Sequence, residues 1–314
     1  MPSFDGGHYF LTVLAPIEDR LVEHDGMKSS AIHMVRSALA TLPTARQTEA
    51  TEWLRLGSPF ARAKRTHFAR FVVIDDVVYN GRNPMNALLM ALRKVNPVLA
   101  QPHDRLSTPY LLFAADFDAR SAEPAEVRSY LAELWGTMQA ELTQIFQYCV
   151  GFGAVKDAGG FADYVMACEI DTTMPFNDYW IDPPPFASLK TTLLTVVGGV
   201  VLVALAAIIL LHSDVGWPWH AAIPFGLVLF AALLFIPYQL VIRNGRVPFP
   251  TAPDSDLRSV LKALYLQQKF VRLAIAAQGL EDAEIHRLFG AFLAEHRPGD
   301  LDAPTQEPGI IRAA

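Results

Sequence analysis

Apolar residues are unevenly spread along the chain. From Thr191 to Leu211, and again from Ala221 to Ile242, the sequence runs without Asp, Glu, Lys or Arg. At about 1.5 Å rise per residue, some twenty such residues cross the roughly 30 Å hydrocarbon core of a bilayer. The pattern therefore predicts a hairpin of two transmembrane helices over 191–242. Pro224 falls in the first turn of the second helix, where a missing N–H costs little, and Pro237 predicts a kink near its far end. The connecting stretch His212–His220 has no Lys or Arg, whereas Lys190 precedes the first span and Arg243 and Arg246 follow the second. Positive residues stay on the cytoplasmic side, so both termini are expected there. Tyr179, Trp180, Trp217, Trp219 and Tyr238 fall where an aromatic belt is expected. No Asp, Glu, Lys or Arg lies inside either span, which favours an anchor over a transport path.

Residues 1–180 alternate between strand and helix patterns. His8–Leu14 is rich in β-formers and ends at Pro16, and Met27–Leu42 repeats Ile32, Val35, Leu39 and Leu42 at helical spacing before Pro43. Thr66–Asp75 is the clearest strand, with an Asn80–Gly81 turn signal beyond it. Met85–Val95 reads as a short helix stopped at Asn96–Pro97, and Tyr110–Asp118 as another strand. Glu123–Pro124 opens a long helix to about Tyr148, lined by Leu131, Leu134, Met138, Leu142, Ile145 and Phe146. Phe161–Ile170 closes the set as a helix or a strand, with a strand favoured over most of it. The order β-α-β, inserted helix, β-α-β predicts an α+β fold, a ferredoxin-like βαββαβ domain over 1–180 with helices on one sheet face. The second strand puts Phe68, Val72 and Ile74 on one side and Phe71 and Val73 on the other. With both sides apolar, a second protomer is expected to cover the open face.

Residues 181–190 form a Pro-rich linker, preceded by the aromatic stretch Met174–Trp180, which reads as a platform against the bilayer or as a ligand lid. After the hairpin, residues 243–297 form a helical segment. Asp254–Ser–Asp256 caps a helix over Leu257–Gln278, Gly279 stops it, and Glu281–Glu295 follows as a second helix. This pair is too short for its own core and needs the N-terminal domain, a partner or the membrane surface to pack on. The tail 298–314, rich in Asp, Pro, Thr and Gly, is expected to be disordered.

Composition sharpens this picture. The 314 residues are 52% hydrophobic and 18% charged, against about 25% charge in ordinary globular proteins, and the hairpin explains the difference. The net charge of −6 argues against nucleic acid as a partner, since phosphate binding needs a concentrated basic face. The one dense basic run, Arg62–Ala63–Lys64–Arg65, reads as a solvated loop. Cys149 and Cys168 sit in apolar surroundings without a CxxC or His-rich companion, so both read as reduced packing residues and no metal is expected. There is no basic stretch followed by an apolar core in the first 25 residues, hence no expected signal peptide. Dinucleotide, P-loop and GxSxG signatures are absent.

The candidate site residues are His67, Arg70, Asp116 and Asp118. If the strands 66–75 and 110–118 are antiparallel neighbours, His67 and Arg70 lie near the end that carries Asp116 and Asp118. A His or Arg beside carboxylates suits general acid–base chemistry or anion binding. Strand-end ion pairs and turn caps explain the same residues without any chemistry. His8, opening the first strand, can join the group.

The stretches THFARFVVIDD (66–76), YLLFAADFDA (110–119) and CVGF (149–152) resemble patterns of bacterial proteins in the dimeric α/β-barrel superfamily, over about residues 8–171. In that superfamily two ferredoxin-like sheets pack face to face. The resemblance implies a homodimer, and together with the apolar hairpin over 191–242 it makes a bacterial inner-membrane protein the expectation. Its expected role is to bind a small apolar or amphipathic, membrane-derived molecule, with redox or oxygen-dependent chemistry if it is an enzyme. A non-catalytic scaffold holding protein partners at the bilayer is the alternative. Haem-dependent peroxidases are a further branch, marked by a GxxDG motif and a downstream haem-ligating His; Asp116–Phe–Asp118 lacks the preceding glycine. The cofactor is unknown on sequence grounds, and a haem would need His67 or His8 as its ligand.

Overall fold

A computed structural model of the chain describes residues 3–24, 26–46, 49–54, 56–75, 87–94, 106–171, 191–215 and 218–310. The chain begins with β1 (Phe4–Asp5), β2 (His8–Pro16), a hairpin of β3 (Leu21–His24) and β4 (Met27–Ser30), α1 (Ala31–Thr41) and the short α2 (Glu49–Trp53). There follow β5 (Thr66–Ile74), α3 (Ala87–Leu92), β6 (Tyr110–Asp118), α4 (Pro124–Phe146) and α5 (Ala158–Ala167). Four strands form one antiparallel sheet in the order β1-β2-β6-β5. Its register sets His8 opposite Asp118, and both Phe10 and Phe68 opposite Asp116.

Period-two alternation divides the sheet into two faces. Leu11, Val13 and Ala15 of β2 and Leu111, Phe113 and Phe117 of β6 are buried on one face, under α1, α4 and α5. There Phe113 stacks on Phe71 at 4.8 Å and Phe117 on Tyr130 at 3.7 Å between ring centroids. Each such fully buried large side chain stabilises the fold by about 1.5–3 kcal/mol. The Tyr130 hydroxyl meets Thr66 Oγ1 at 3.0 Å, so the buried polar atoms satisfy each other. The basic run is tied to α4 by Arg62–Glu141 (2.9 Å), Arg65–Glu126 (2.8 Å) and Arg65–Glu133 (3.0 Å).

Three expectations are corrected. The segment Phe161–Ile170 is largely helical rather than a strand. Asp157 caps α5 by accepting the Gly160 N–H, and Phe161, Ala162 and Val165 are buried at helical spacing. What remains of the strand is one bridge between Val13 and Glu169, flanked by bonds from Leu14 N–H to the Cys168 carbonyl and from Ile170 N–H to the Thr12 carbonyl. The helix expected from Met27 starts at Ala31, where the Ser30 side chain accepts the His33 N–H, and Met27–Ser30 pairs instead with Leu21–His24. The tail is not structureless as far as it is described: Arg46 N–H donates to the Gly309 carbonyl, and Arg46 bridges to Ile310.

Beyond the sheet domain lie α6 (Thr191–Val215), α7 (Trp219–Gly245), α8 (Leu257–Ala276) and α9 (Asp282–His296). Helices α6 and α7 pack on each other. Among the described residues one stretch, Gly226–Gly245, is long and apolar enough to cross a membrane, and Thr195–Leu210 is a shorter apolar stretch. Asp256 caps α8 through the Ser259 N–H. Lys262, almost wholly buried, donates from Nζ to the carbonyls of His296 and Pro304 and so ties α8 to the end of α9 and the tail. The Asn80–Gly81 turn, the Asn96–Pro97 stop, the aromatic stretch 174–180 and the linker 181–190 lie outside the described residues.

Candidate functional site

One end of the second sheet face carries four ionisable side chains from three strands. His8 opens β2, and Asp116 and Asp118 close β6, on the same face by period two. His67 reaches that face through an irregularity in β5. Thr66 pairs with Phe117 and Phe68 with Asp116, leaving His67 as an extra residue between them. Such a bulge re-aims a side chain. Thr66 can then point into the core while His67 and Phe68 both join the other face.

The geometry is close. His67 Nε2 lies 2.8 Å from Asp118 Oδ1, and since a carboxylate only accepts, the imidazole N–H donates. The His8 and His67 rings meet edge to face at 4.7 Å. His8 Nδ1 lies 3.9 Å from Asp116 Oδ1 and 3.9 Å from Asp118 Oδ1. His8 is 0% exposed and Asp116 7%. Neither carboxylate oxygen of Asp116 has a hydrogen-bond partner among the described residues. Burial, aided by the Asp118 charge and opposed by His67, pushes the Asp116 carboxyl up to about 7. Burial and then His67, against the pull of Asp118, bring the His8 imidazole down to about 4. Two imidazoles and two carboxylates in so small a space can pass protons between one another or hold a cation.

The segment leading into α8 roofs the cluster. Gly6 N–H donates to the Phe249 carbonyl, Phe249 N–H to the Asp5 carboxylate, and Leu257 N–H to Asp118 Oδ2 at 3.0 Å. Gly7, at φ +89°, permits this close approach, because a Cβ there would stand 2.5 Å from Thr251 Cγ2. Asp118 thus holds His67 with one oxygen and the start of α8 with the other.

Arg70, the fourth candidate, stays outside the cluster. It lies further along β5, opposite Ala114 and exposed, and no carboxylate pairs with it among the described residues. It lines a cavity of about 540 Å³ between the β5 edge, the end of α1, α8 and the tail. The walls are largely apolar, with Leu42, Phe71, Leu261 and Leu264 among them, and His67 belongs to both the cavity and the cluster. Asp118 faces the other way, into a polar hollow of about 660 Å³ with Arg65, Arg120 and Arg258. Cys149 and Cys168 are free thiols away from this end, and burial pushes the Cys149 thiol up to about 12.

Haem does not fit these histidines. A haem iron needs an imidazole nitrogen facing open space, and the His8 and His67 side chains are 1% and 2% exposed, with His67 Nε2 already on Asp118. Comparisons with protein-family models, curated proteins and solved structures found no match. Sequence reasoning placed His67, Asp116 and Asp118 together and noted His8 as an adjunct. It gave no weight to their capacity as a ligand set, because the four residues are scattered over 110 positions rather than grouped in a motif. It also had no signal for the roof from 249–257, which depends on the glycine pair Gly6–Gly7.

Proposed function

We propose that the protein is a membrane-anchored binding protein whose cytoplasmic domain, on a ferredoxin-like frame, holds a single-chain amphiphile with an anionic head. The observation that carries this reading is the cavity of about 540 Å³ beside β5, apolar along its walls, with Arg70 unmatched by any described carboxylate and His67 of the buried cluster at its side. That volume lies within the range of small-molecule sites, roughly 300–1,000 Å³. An aliphatic chain along Leu42, Phe71, Leu261 and Leu264 satisfies the walls, and a carboxylate at Arg70 satisfies the charge. The strand order, with Glu169 beside β2, supports the ferredoxin-like frame. Large apolar side chains pointing outward from α6 and α7, such as Val203 and Leu227, support a hairpin in lipid over one inside a protein core. The orientation with both termini cytoplasmic rests on the flanking Arg243 and Arg246. On the second sheet face Phe68 is 64% exposed and Val72 43%, an apolar patch suited to a second copy of the chain.

A scaffold role is the second reading. It is favoured by apolar side chains left exposed on α8 and α9, among them Phe270, Val271, Ile275 and Phe289. Titration of a fluorescent long-chain fatty acid into the protein in lipid nanodiscs separates the two. Binding is expected, and Leu261→Trp, which fills the cavity, should abolish it. Arg70→Gln should weaken it about 10–100-fold, the worth of one charge-assisted hydrogen bond of roughly 1.5–3 kcal/mol, while leaving a fatty alcohol unaffected. Equal binding by wild type and Leu261→Trp refutes the cavity reading.

A further inference from the structure

We propose that His8, His67, Asp116 and Asp118 form a binding site for one divalent first-row transition-metal ion. One nitrogen each from His8 and His67 and one oxygen of Asp118 all lie within 4.8 Å of one another, so a single ion at their centre can reach all three with small side-chain rotations. Imidazole and carboxylate ligands stand about 2.0–2.2 Å from zinc or similar ions. The independent observation is Asp116. Its carboxylate is 7% exposed and faces the cluster from the same strand face, with no hydrogen bond from any described residue. A buried carboxylate left without a partner costs free energy that a cation beside it would offset. Among the described residues no lysine or arginine supplies that cation, since Arg65 is held by Glu126 and Glu133 and Arg70 lies in the neighbouring cavity.

Two further features suit a metal centre. Ligands need outer contacts that fix their orientation, and Asp118 Oδ2 accepts the Leu257 N–H while its Oδ1 points at His67. The mixed set of two imidazoles and two carboxylates selects ions such as Zn²⁺ or Fe²⁺ over Mg²⁺ or Ca²⁺, which prefer oxygen alone. Entry of the ion breaks the hydrogen bond between His67 Nε2 and Asp118 Oδ1: the imidazole carries its proton on Nδ1 instead, which leaves the Nε2 lone pair and the carboxylate oxygen for the ion. With His67 forming part of the cavity wall, the ion would sit beside whatever the cavity holds and could polarise an oxygen of it.

The test is direct. Protein in nanodiscs is stripped with chelator, reloaded with Zn²⁺, dialysed and measured by zinc-edge X-ray absorption together with metal analysis. One retained ion per chain, with the scattering signature of two imidazoles, is expected. His67→Gln and Asp116→Asn should each weaken Zn²⁺ binding, the former by at least ~100-fold, because losing an outer contact alone costs 10–100-fold. No retained zinc, or a shell of oxygen without imidazole scattering, overturns the proposal. The absorption measurement needs only the wild-type chain, so a variant that fails to fold does not blunt it. Fatty-acid binding by the stripped protein is read separately, and its loss would count against the cavity reading rather than the metal.

Discussion

Replacing Asp116 with Asn should stabilise the protein when no metal is present. In the folded chain this carboxyl is pushed from 3.8 to about 7, chiefly by burial, and faces His8 on β2, His67 on β5 and Asp118 on β6. For an acid raised in this way, the folded state binds the proton more tightly than the unfolded one. Stability is therefore unaffected below about pH 4 and falls as pH rises toward and through 7. A rise from 3.8 to about 7 amounts to about 4 kcal/mol of destabilisation at pH 8, at 1.36 kcal/mol per pH unit. Asn keeps the shape but buries an amide that also lacks partners, at about 1–3 kcal/mol. The net gain is then about 1–3 kcal/mol, or roughly 3–10 °C in Tm for a domain of this size. Differential scanning fluorimetry of chelator-treated protein at pH 8 reads it, and at pH 4 the gain should vanish. Excess Zn²⁺ should reverse the order, because the ion stabilises only the form that binds it. A lower Tm for Asp116→Asn in the stripped protein at pH 8 would show that the carboxylate is paired or solvated, and would refute the reasoning.

Three other substitutions test the parts that position the site. Gly7→Ala places a Cβ 2.5 Å from Thr251 Cγ2 at a backbone angle of +89°, so the 249–257 roof should lift and the Leu257 amide should lose its protection in hydrogen exchange; unchanged protection contradicts the roof. Phe113→Ala removes a fully buried ring at the centre of the aromatic cluster and should cost about 3–5 kcal/mol in denaturant unfolding, whereas a loss under about 1 kcal/mol contradicts the packing. Tyr130→Phe leaves Thr66 Oγ1 buried without its 3.0 Å partner, for a loss of about 1–2 kcal/mol; no loss would mean that water already serves that hydroxyl.

The sequence exposed the elements whose signals are periodic and local. Thr66–Asp75 and Tyr110–Asp118 are short runs dense in aromatic and branched apolar residues and became β5 and β6, and α4 follows its apolar repeat from Pro124 to Phe146. The apolar residues of Phe161–Ile170 are dense enough to suit either period, and the Asp157 cap decides for helix over Ala158–Ala167. The hairpin Leu21–Ser30 was signalled by Asp25–Gly26, a common hairpin turn pair, but the helical spacing downstream masked it. The site was half legible. Residue types and strand ends brought His67, Asp116 and Asp118 together, while strict alternation would have set His67 on the face opposite Phe68. Only the bulge after Thr66 puts both on one face, and a single inserted residue leaves no mark in composition. Arg70 was grouped with the cluster because sequence proximity stood in for side-chain direction. The roof and the cavity bring together segments far apart in the chain, as in the hydrogen bond from Gly6 N–H to the Phe249 carbonyl, which no local pattern encodes.

The central claim is that the cavity beside β5 holds an anionic single-chain amphiphile. It is tested most directly by extracting and identifying, by mass spectrometry, the small molecules that accompany the chain through purification in mild detergent. The wild-type protein should carry a fatty-acid-like carboxylate at close to one per chain, and Leu261→Trp, purified alongside, should carry none. Wild-type and Leu261→Trp preparations with the same lipid profile, neither enriched in a carboxylate, would contradict the account.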